Sequence, residues 1–528
     1  MAPLNVIILS NEFVRPSSPT NYPFKKYELS MLDQLMPSFF IPTILYYHHQ
    51  FQTTSIAQLE LISSRLRESL SQTLTMFYPF AGRLNRGDNS IDCNDMGVRY
   101  LEAKVDSMIM DVIECHETEM VDPLIPNLMG NGEEEDEIFA IQVNYFNCGD
   151  IAIGTYVPHK IADGVSFFSF MTSWATICRQ QDNMINILKP SFPSSSLFPP
   201  KEKHHYNPQS EDCKETLVTR RFVFDASKIS SMRAKAKIDH DHPIPTRVEV
   251  VSTFIWKYAT VDKPVKQYIA FQAVNLRSRM VPPLSEHAIG NLLVLAYAYC
   301  SYEDSNDLTV MGRKVREGIQ RIDDEYIRPI QGDEGYAVMM KNWMKIEELS
   351  TREDANIFRF SSWCRFPVYN VDFGMGKPVW ASIGRFNNKN CAILLDSKCG
   401  DGIEAWVTMN EQDMARFQLA FASEADNDQL SSSSSVEQAS KVVVKISSDD
   451  ETSEEKSSSQ KSKHSSSSSY KKSLPNKTLN SIDISEFIKD LCDEIEGTGG
   501  ESREMVNVLR VSSPDKELEQ SKWSLEML

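Results

Sequence analysis

Apolar positions recur with two different periods along the first 422 residues, and each change of period marks an element. Ile56, Leu59, Ile62, Leu66, Leu70 and Leu74 repeat at helical spacing with Arg65, Arg67 and Glu68 outside them. That pattern predicts an amphipathic helix that has to end before Pro79. Residues 138–146 and 151–157 are rich in β-branched and aromatic side chains and flank Cys148-Gly149-Asp150, so they read as two strands joined by a turn. Pro158-His159-Lys160-Ile161-Ala162-Asp163-Gly164 follows directly. An apolar helix over 165–178 comes next, with Asp163 near its N-terminus. Further along, the spacing predicts a helix over 248–259, strands at 268–274, 292–299, 392–395 and 405–409, and a helix near 411–421. Strands and helices alternate in both halves, which points to an α/β or α+β architecture.

Two stretches break this order. Residues 188–216 (LKPSFPSSSLFPPKEKHHYNPQSEDCKET) are dense in Pro, Ser and charge and carry neither period, as expected of a long surface connection. Beyond 422 the chain turns into serine runs at 431–435 and 465–469 with Lys and Glu between. Such a segment buries too little apolar surface to offset its chain entropy and is expected to be disordered. The expected organisation is therefore a first domain over 1–187, a crossover over 188–216, a second domain over 217–422 and a tail over 423–528. Within the tail, Ile484, Phe487, Ile488, Leu491 and Ile495 share one helical face, with Asp483 and Glu486 at capping-box spacing. An amphipathic helix over 483–496 reads equally well as a docking segment for an unknown protein and as a nascent helix with no partner.

Composition narrows the class. The 528 residues are 41% hydrophobic and 24% charged, enough apolar material for a sizeable core. The formal charge of −18 argues against nucleic acid as a partner. The tail holds 21 acidic against 13 basic residues, so eight of the eighteen excess negative charges lie outside the expected domains. No apolar run approaches the roughly 20 residues of a membrane span, and the first residues lack the basic and apolar regions of a secretory signal. Ten cysteines without a Cys-x-x-Cys pair read as reduced thiols in a cytoplasmic monomer.

A histidine between a strand and a helix is well placed to be held firmly and still reach a cleft, and neutral imidazole accepts protons near pH 7. His-x-x-x-Asp spacing alone is weak evidence; surface and capping residues fit it as well. Its companions are more specific. His159-Lys-Ile-Ala-Asp163-Gly164 resembles the HxxxDG motif of the plant BAHD acyltransferases, and Asp372-Phe373-Gly374-Met375-Gly376-Lys377-Pro378 resembles their DFGWG signature. Tyr78-Pro-Phe-Ala-Gly-Arg-Leu84, Pro245-Thr-Arg-Val-Glu249 with Phe254-Ile-Trp256, Asn275-Leu-Arg-Ser-Arg279, Pro282-Pro283 and Gly290-Asn291 follow the family's order. The Ser362-Trp-Cys-Arg-Phe-Pro367 lead-in resembles the branch of alkaloid O-acetyltransferases that includes vinorine synthase. The resemblance spans roughly residues 1–422.

It implies two similar α/β domains related to chloramphenicol acetyltransferase, joined by the crossover, with a solvent channel between them. CoA would enter one face and an alcohol the other. It implies His159 as general base for acyl transfer, acetyl-CoA as co-substrate rather than bound cofactor, and an alkaloid- or terpenoid-type alcohol as acceptor. A longer or aromatic acyl donor, a sugar acceptor, or a non-catalytic binding protein are the alternatives. Asp163 and Asp372 complete the implied catalytic set; Asp163 is expected to pair with an arginine rather than with the ring, Arg277 and Arg279 being the candidate partners of the two aspartates. Ser252, Thr253, Arg277, Asn291, Phe373, Gly374 and Gly376 are the implied CoA contacts. Met375 stands where the family usually has Trp. An alcohol attacking a thioester needs a base but no covalent intermediate, and no Gly-x-Ser-x-Gly elbow is present. Neither a kinase loop nor a P-loop accompanies the Asp-Phe-Gly run. The histidines at 48–49, 204–205, 240 and 242 lack the scaffold of a zinc site, so no metal is expected.

Overall fold

The computed structural model describes residues 4–37, 40–48, 56–114, 118–126, 137–179, 189–201, 215–236, 244–260, 265–352, 354–386 and 388–424. The tail beyond residue 424, its expected helix at 483–496 and most of the second half of the expected crossover lie outside these residues.

Two six-stranded mixed sheets organise the fold. In the first, the strand order is Val6–Val14, Val98–Val105, Ala140–Phe146, Ile151–Pro158, Phe40–Tyr47 and Trp380–Ile383. The pair Val98–Val105 with Ala140–Phe146 is parallel and its other pairs are antiparallel. In the second, the order is Leu293–Ser301, Gln267–Asn275, Ala355–Ser362, Cys391–Asp396, Ile403–Asn410 and Leu217–Phe224. Ala355–Ser362 runs parallel to both its neighbours. Two sheet-rich halves with helices against each are the expected α/β arrangement.

Each sheet owns a core. Leu66, Leu70 and Leu74 of helix Ile56–Met76 join Phe167, Phe170, Met171 and Trp174 of helix Gly164–Arg179 and the first sheet's Ile141, Val143, Ile151 and Ile153. Trp174 Nε1 donates to Leu66 O across the helix pair at 3.1 Å. The polar end of this indole is thereby satisfied where its apolar body is buried. The second core collects Val251, Phe254 and Ile255 of helix Arg247–Thr260, Met311 and Val315 of helix Leu308–Gln320, and Phe417 of a helix over 411–424, against Phe358, Phe360 and Leu394.

The halves interlock. Strand Trp380–Ile383 comes from the C-terminal half yet pairs antiparallel with Phe40–Tyr47. Tyr46 and Trp380 pack with ring centroids 4.9 Å apart, and the Tyr46 hydroxyl lies 2.9 Å from Ser382 Oγ. Trp380 Nε1 donates to Glu404 of the second sheet at 3.2 Å. The crossover is not a bare loop either: Ser194–Leu197 is a short helix and Phe198 is fully buried in a third core with Leu32, Leu35, Leu276 and Leu292.

Sequence periodicity finds several of the long elements and misses others: beside strands Val6–Val14, Phe40–Tyr47 and Val98–Val105 and helices Ala226–Lys235 and Leu308–Gln320, four more go unread. Strand Trp380–Ile383 has only four residues and follows a Gly- and Pro-rich loop. Leu217–Phe224 is an edge strand carrying Arg220 and Arg221, and Ala355–Ser362 is a central strand with Arg359 and three polar residues in its run. Helix Gly335–Ser350 carries no capping side chain, so nothing in its first turn announces a start.

The strand that delivers the site residues, Ile151–Pro158, depends on Gly154, where an added Cβ would lie 2.0 Å from Leu124 O. Replacing it by alanine forces backbone apart. Gly154→Ala is expected to lower unfolding stability by about 1–3 kcal/mol, read by urea denaturation; an unchanged midpoint would contradict the close approach.

Candidate active site

His159 follows directly on the strand end at Pro158, and Asp163 precedes helix Gly164–Arg179. Asp163 caps that helix: its Oδ1 accepts from Ser166 N at 2.8 Å. A capping aspartate ordinarily sits in water. Here the residue is 2% exposed, and its carboxylate meets the Arg277 guanidinium, itself 1% exposed, at 2.6 Å and 3.1 Å. Leu292 N donates to Asp163 Oδ2 at 3.1 Å. The remaining Arg277 donors go to Ala288 O, Gly290 O, Asn275 Oδ1 and Ser166 Oγ. A forked guanidinium facing a carboxylate, with its other N–H groups on carbonyls, is the arrangement in which a buried ion pair repays its desolvation.

This pair ties the first half's strand-to-helix corner to segment 275–292 of the second half. Gly290 completes the join. Its φ of +126° suits glycine alone, and an added Cβ would fall 2.6 Å from Ser194 Oγ. Ser166 Oγ receives Gly290 N at 3.1 Å and donates to Gly290 O at 3.0 Å, which fixes the next residue, Asn291.

Asn291 sets the histidine. Its Nδ2 donates to His159 O at 2.8 Å and to Asp33 Oδ1 at 2.9 Å. With both amide hydrogens directed at oxygens, Oδ1 is the atom left to face His159 Nδ1, 3.0 Å away. A carbonyl oxygen only accepts, so Nδ1 carries the ring proton and the lone pair resides on Nε2. Burial lowers the His159 pKa below the ordinary 6.5, partly offset by a hydrogen bond to backbone, the Asp163 charge and Asn291. The ring is therefore neutral at pH 7 and a proton acceptor through Nε2.

The other residues implied by the motifs divide. Asp163, Arg277 and Asn291 gather at His159. Arg277, also implied as a CoA contact, is 1% exposed and directs its donors at Asp163, Asn275, Ser166, Ala288 and Gly290. Asn291, also implied as a CoA contact, is fully buried against His159 and Asp33. Asp372 makes no hydrogen bond to this group: its Oδ1 accepts from Gly374 N at 2.8 Å and Gly376 N at 3.0 Å, folding the loop onto itself. Both glycines have positive φ, +93° and +97°, which accounts for two of the signature's fixed letters. Arg179 at the end of helix Gly164–Arg179 is the cation beside Asp372, at 3.6 Å. Arg279, the expected partner, instead donates to Ile319 O and Ile322 O. Phe373 packs inward on Trp174 and Tyr47, with centroids 4.6 and 5.8 Å away, and Met375 lies against the same core. Ser252 and Thr253 are buried on helix Arg247–Thr260; Thr253 Oγ1 donates to Glu249 O at 2.7 Å, while the Thr253 side of the helix lines a groove with Phe254, Leu308 and Arg313. Asp33 was not singled out from sequence; Ser30-Met-Leu-Asp33 signals a helix cap, and nothing local announces a contact with Asn291.

Residues 4–424 match the family described as the Transferase family. Vinorine synthase of Rauvolfia serpentina is 35% identical over 432 residues, covering 80% of this chain and 98% of the relative. Stemmadenine O-acetyltransferase of Catharanthus roseus is 36% identical over 441 residues, covering 81% and 99%. Limonoid 21-O-acetyltransferase of Melia azedarach is 34% identical over 423 residues, covering 79% and 96%. Among solved structures, vinorine synthase superposes with a TM-score of 0.68 over 79% of this chain and 98% of that one, at 35% identity. F. sporotrichioides TRI101, complexed with coenzyme A and T-2, shares the fold at a TM-score of 0.58 and 18% identity, over 74% and 97%.

Breaking the ion pair from one side strands a buried charge. Arg277→Ala and Asp163→Ala are each expected to cost about 3–5 kcal/mol of unfolding free energy, and the double variant clearly less than their sum. Additive losses in urea denaturation would show that the two side chains do not act as a pair.

Proposed function

The chain belongs to the plant BAHD family of acyl-CoA-dependent acyltransferases, and on that premise we propose that it transfers acetyl from acetyl-CoA to a hydroxyl of an alkaloid- or terpenoid-type alcohol, with His159 as general base. Two of the relatives named above support the acceptor class and the acetyl group by their names, stemmadenine O-acetyltransferase and limonoid 21-O-acetyltransferase. A cytoplasmic placement, as read from the sequence, is part of this proposal.

The observation that carries the catalytic reading is the His159–Asn291 contact. With the ring proton held on Nδ1, Nε2 can take the alcohol's proton as its oxygen forms a bond to the thioester carbonyl carbon. The tetrahedral adduct then expels sulfur. The carbon–sulfur bond breaks, the ester remains, and the imidazolium returns its proton to the CoA thiolate. The charge on the ring is transient, so a burial-lowered pKa favours both the resting base and the return of the proton. Asp163 takes no proton in this scheme: Arg277 holds it in place. Asp372 shapes the Gly374–Gly376 turn.

His159→Ala is expected to reduce kcat/KM by about 10²- to 10⁴-fold while leaving CoA binding measurable by calorimetry. Because the folded pKa lies below 6.5, kcat/KM should fall with pH along an acid limb whose midpoint lies below 6.5. The assay is acetyl-CoA with a panel of alkaloid and limonoid-type alcohols, scored by product mass. Full activity in His159→Ala, or an acid limb above pH 6.5, would refute the assignment of the base.

A further inference from the structure

We propose that Asp33 is a positioning residue for His159, acting through Asn291 to keep the imidazole proton on Nδ1. The inference rests on the reading of His159 as the base, and it assigns a role to a residue outside both signature motifs.

Asp33 belongs to helix Met31–Leu35, whose N-cap is Ser30. The two carboxylate oxygens do different work. Oδ2 closes the cap, accepting from Ser30 N at 2.9 Å and Ser30 Oγ at 2.6 Å. A neutral Gln does the same in many helices, and in water. Oδ1 is not part of the cap. It accepts from Asn291 N at 2.7 Å and Asn291 Nδ2 at 2.9 Å, across 258 residues of chain. Asp33 is fully buried, and burial pushes its pKa up against the four donors that favour the carboxylate. A carboxylate sealed in the core is costly unless such donors hold it, and a helix of five residues gives no reason to put one there.

The contact with Asn291 gives that reason. An asparagine amide can present either its oxygen or its NH₂ to His159 Nδ1. Turned over, Asn291 Oδ1 would face both the Asp33 carboxylate and His159 O, oxygen against oxygen. Asp33 and the His159 carbonyl together exclude that orientation. Without Asp33, one of the two constraints is gone and the amide can direct Nδ2 at Nδ1. Nδ1 is then an acceptor, the ring hydrogen moves to Nε2, and the nitrogen needed by the alcohol can no longer take a proton. An NH₂ facing Nδ1 also opposes the doubly protonated ring.

The test compares Asp33→Ala, Asp33→Asn and Ser30→Ala by kcat, KM, melting temperature and the pH dependence of kcat/KM, with His159→Ala in parallel. Ser30→Ala removes the cap and leaves Oδ1 alone. Asp33→Asn keeps an accepting oxygen toward Asn291. Asp33→Ala is expected to lose about 100-fold in kcat with KM little changed and its acid limb moved to lower pH. Asp33→Asn should stay within about tenfold of the parent, and Ser30→Ala should keep the parental rate and acid limb even where it melts as early as Asp33→Ala. Equal losses in Ser30→Ala and Asp33→Ala, an unmoved acid limb in Asp33→Ala, or an Asp33→Asn as inactive as the alanine variant would overturn the proposal. If Asp33→Ala does not fold, Asn291→Ala takes its place: a rate within about tenfold of the parent would overturn the proposal, since Asp33 would then have nothing to act through. An active His159→Ala would instead remove the reading of the base itself, a separate outcome.

Discussion

An aspartate and an arginine taken out of water together lose several kcal/mol of hydration each, and only mutual contact with further hydrogen bonds makes the loss bearable. Asp163 and Arg277 meet that condition, and much of the molecule is arranged around their meeting. The aspartate sits at the corner where strand Ile151–Pro158 turns into helix Gly164–Arg179; the arginine sits just past strand Gln267–Asn275 in the other half. Each would be an isolated buried ion without the other. The pair is thus a condition for closing the halves at this point, and His159 and Asn291 are the nearest dependants on either side of it.

From that anchor the chemistry follows in short steps. Arg277 holds the carbonyls of Ala288 and Gly290, Ser166 grips the Gly290 peptide from both ends, and Asn291 emerges with its amide directed at His159. A catalytic dyad with a carboxylate on Nδ1 would raise the histidine pKa and favour a charged resting ring. Asparagine fixes the tautomer without the charge, which suits the proposed role of His159 as a base that is neutral before the alcohol arrives. Asp163 contributes its field from behind, its oxygens turned to Arg277, Ser166 and Leu292.

Much of this was legible in the chain and some was not, for definite reasons. Long amphipathic helices and β-branched strands announce themselves by period, so the two halves and the strand-turn-helix around His159 could be read directly. The resemblance offered Arg277 and Arg279 as partners of Asp163 and Asp372, and one of those pairings, Arg277 with Asp163, is present. What sequence could not supply was direction. Arg277 and Asn291 are polar residues like many others along the chain, and only the fold shows that they are buried, one on Asp163 and the other on His159. Asp372 lies 193 positions from Arg179, and Asp33 lies 258 from Asn291; no local pattern connects such pairs. Strand Trp380–Ile383 was hidden for a related reason: four residues after a glycine-rich turn carry too little period to be read, and their pairing partner lies in the other half.

The central claim is that His159 rests uncharged with its hydrogen on Nδ1. Long-range proton–nitrogen correlation spectra of the protein labelled with ¹⁵N-histidine, with the His159 ring identified by its disappearance in His159→Gln, measure this directly. At pH 7.5 the account predicts Nδ1 at the protonated, pyrrole-type position and Nε2 at the unprotonated, pyridine-type position. The reverse pattern, or two protonated nitrogens, would contradict it.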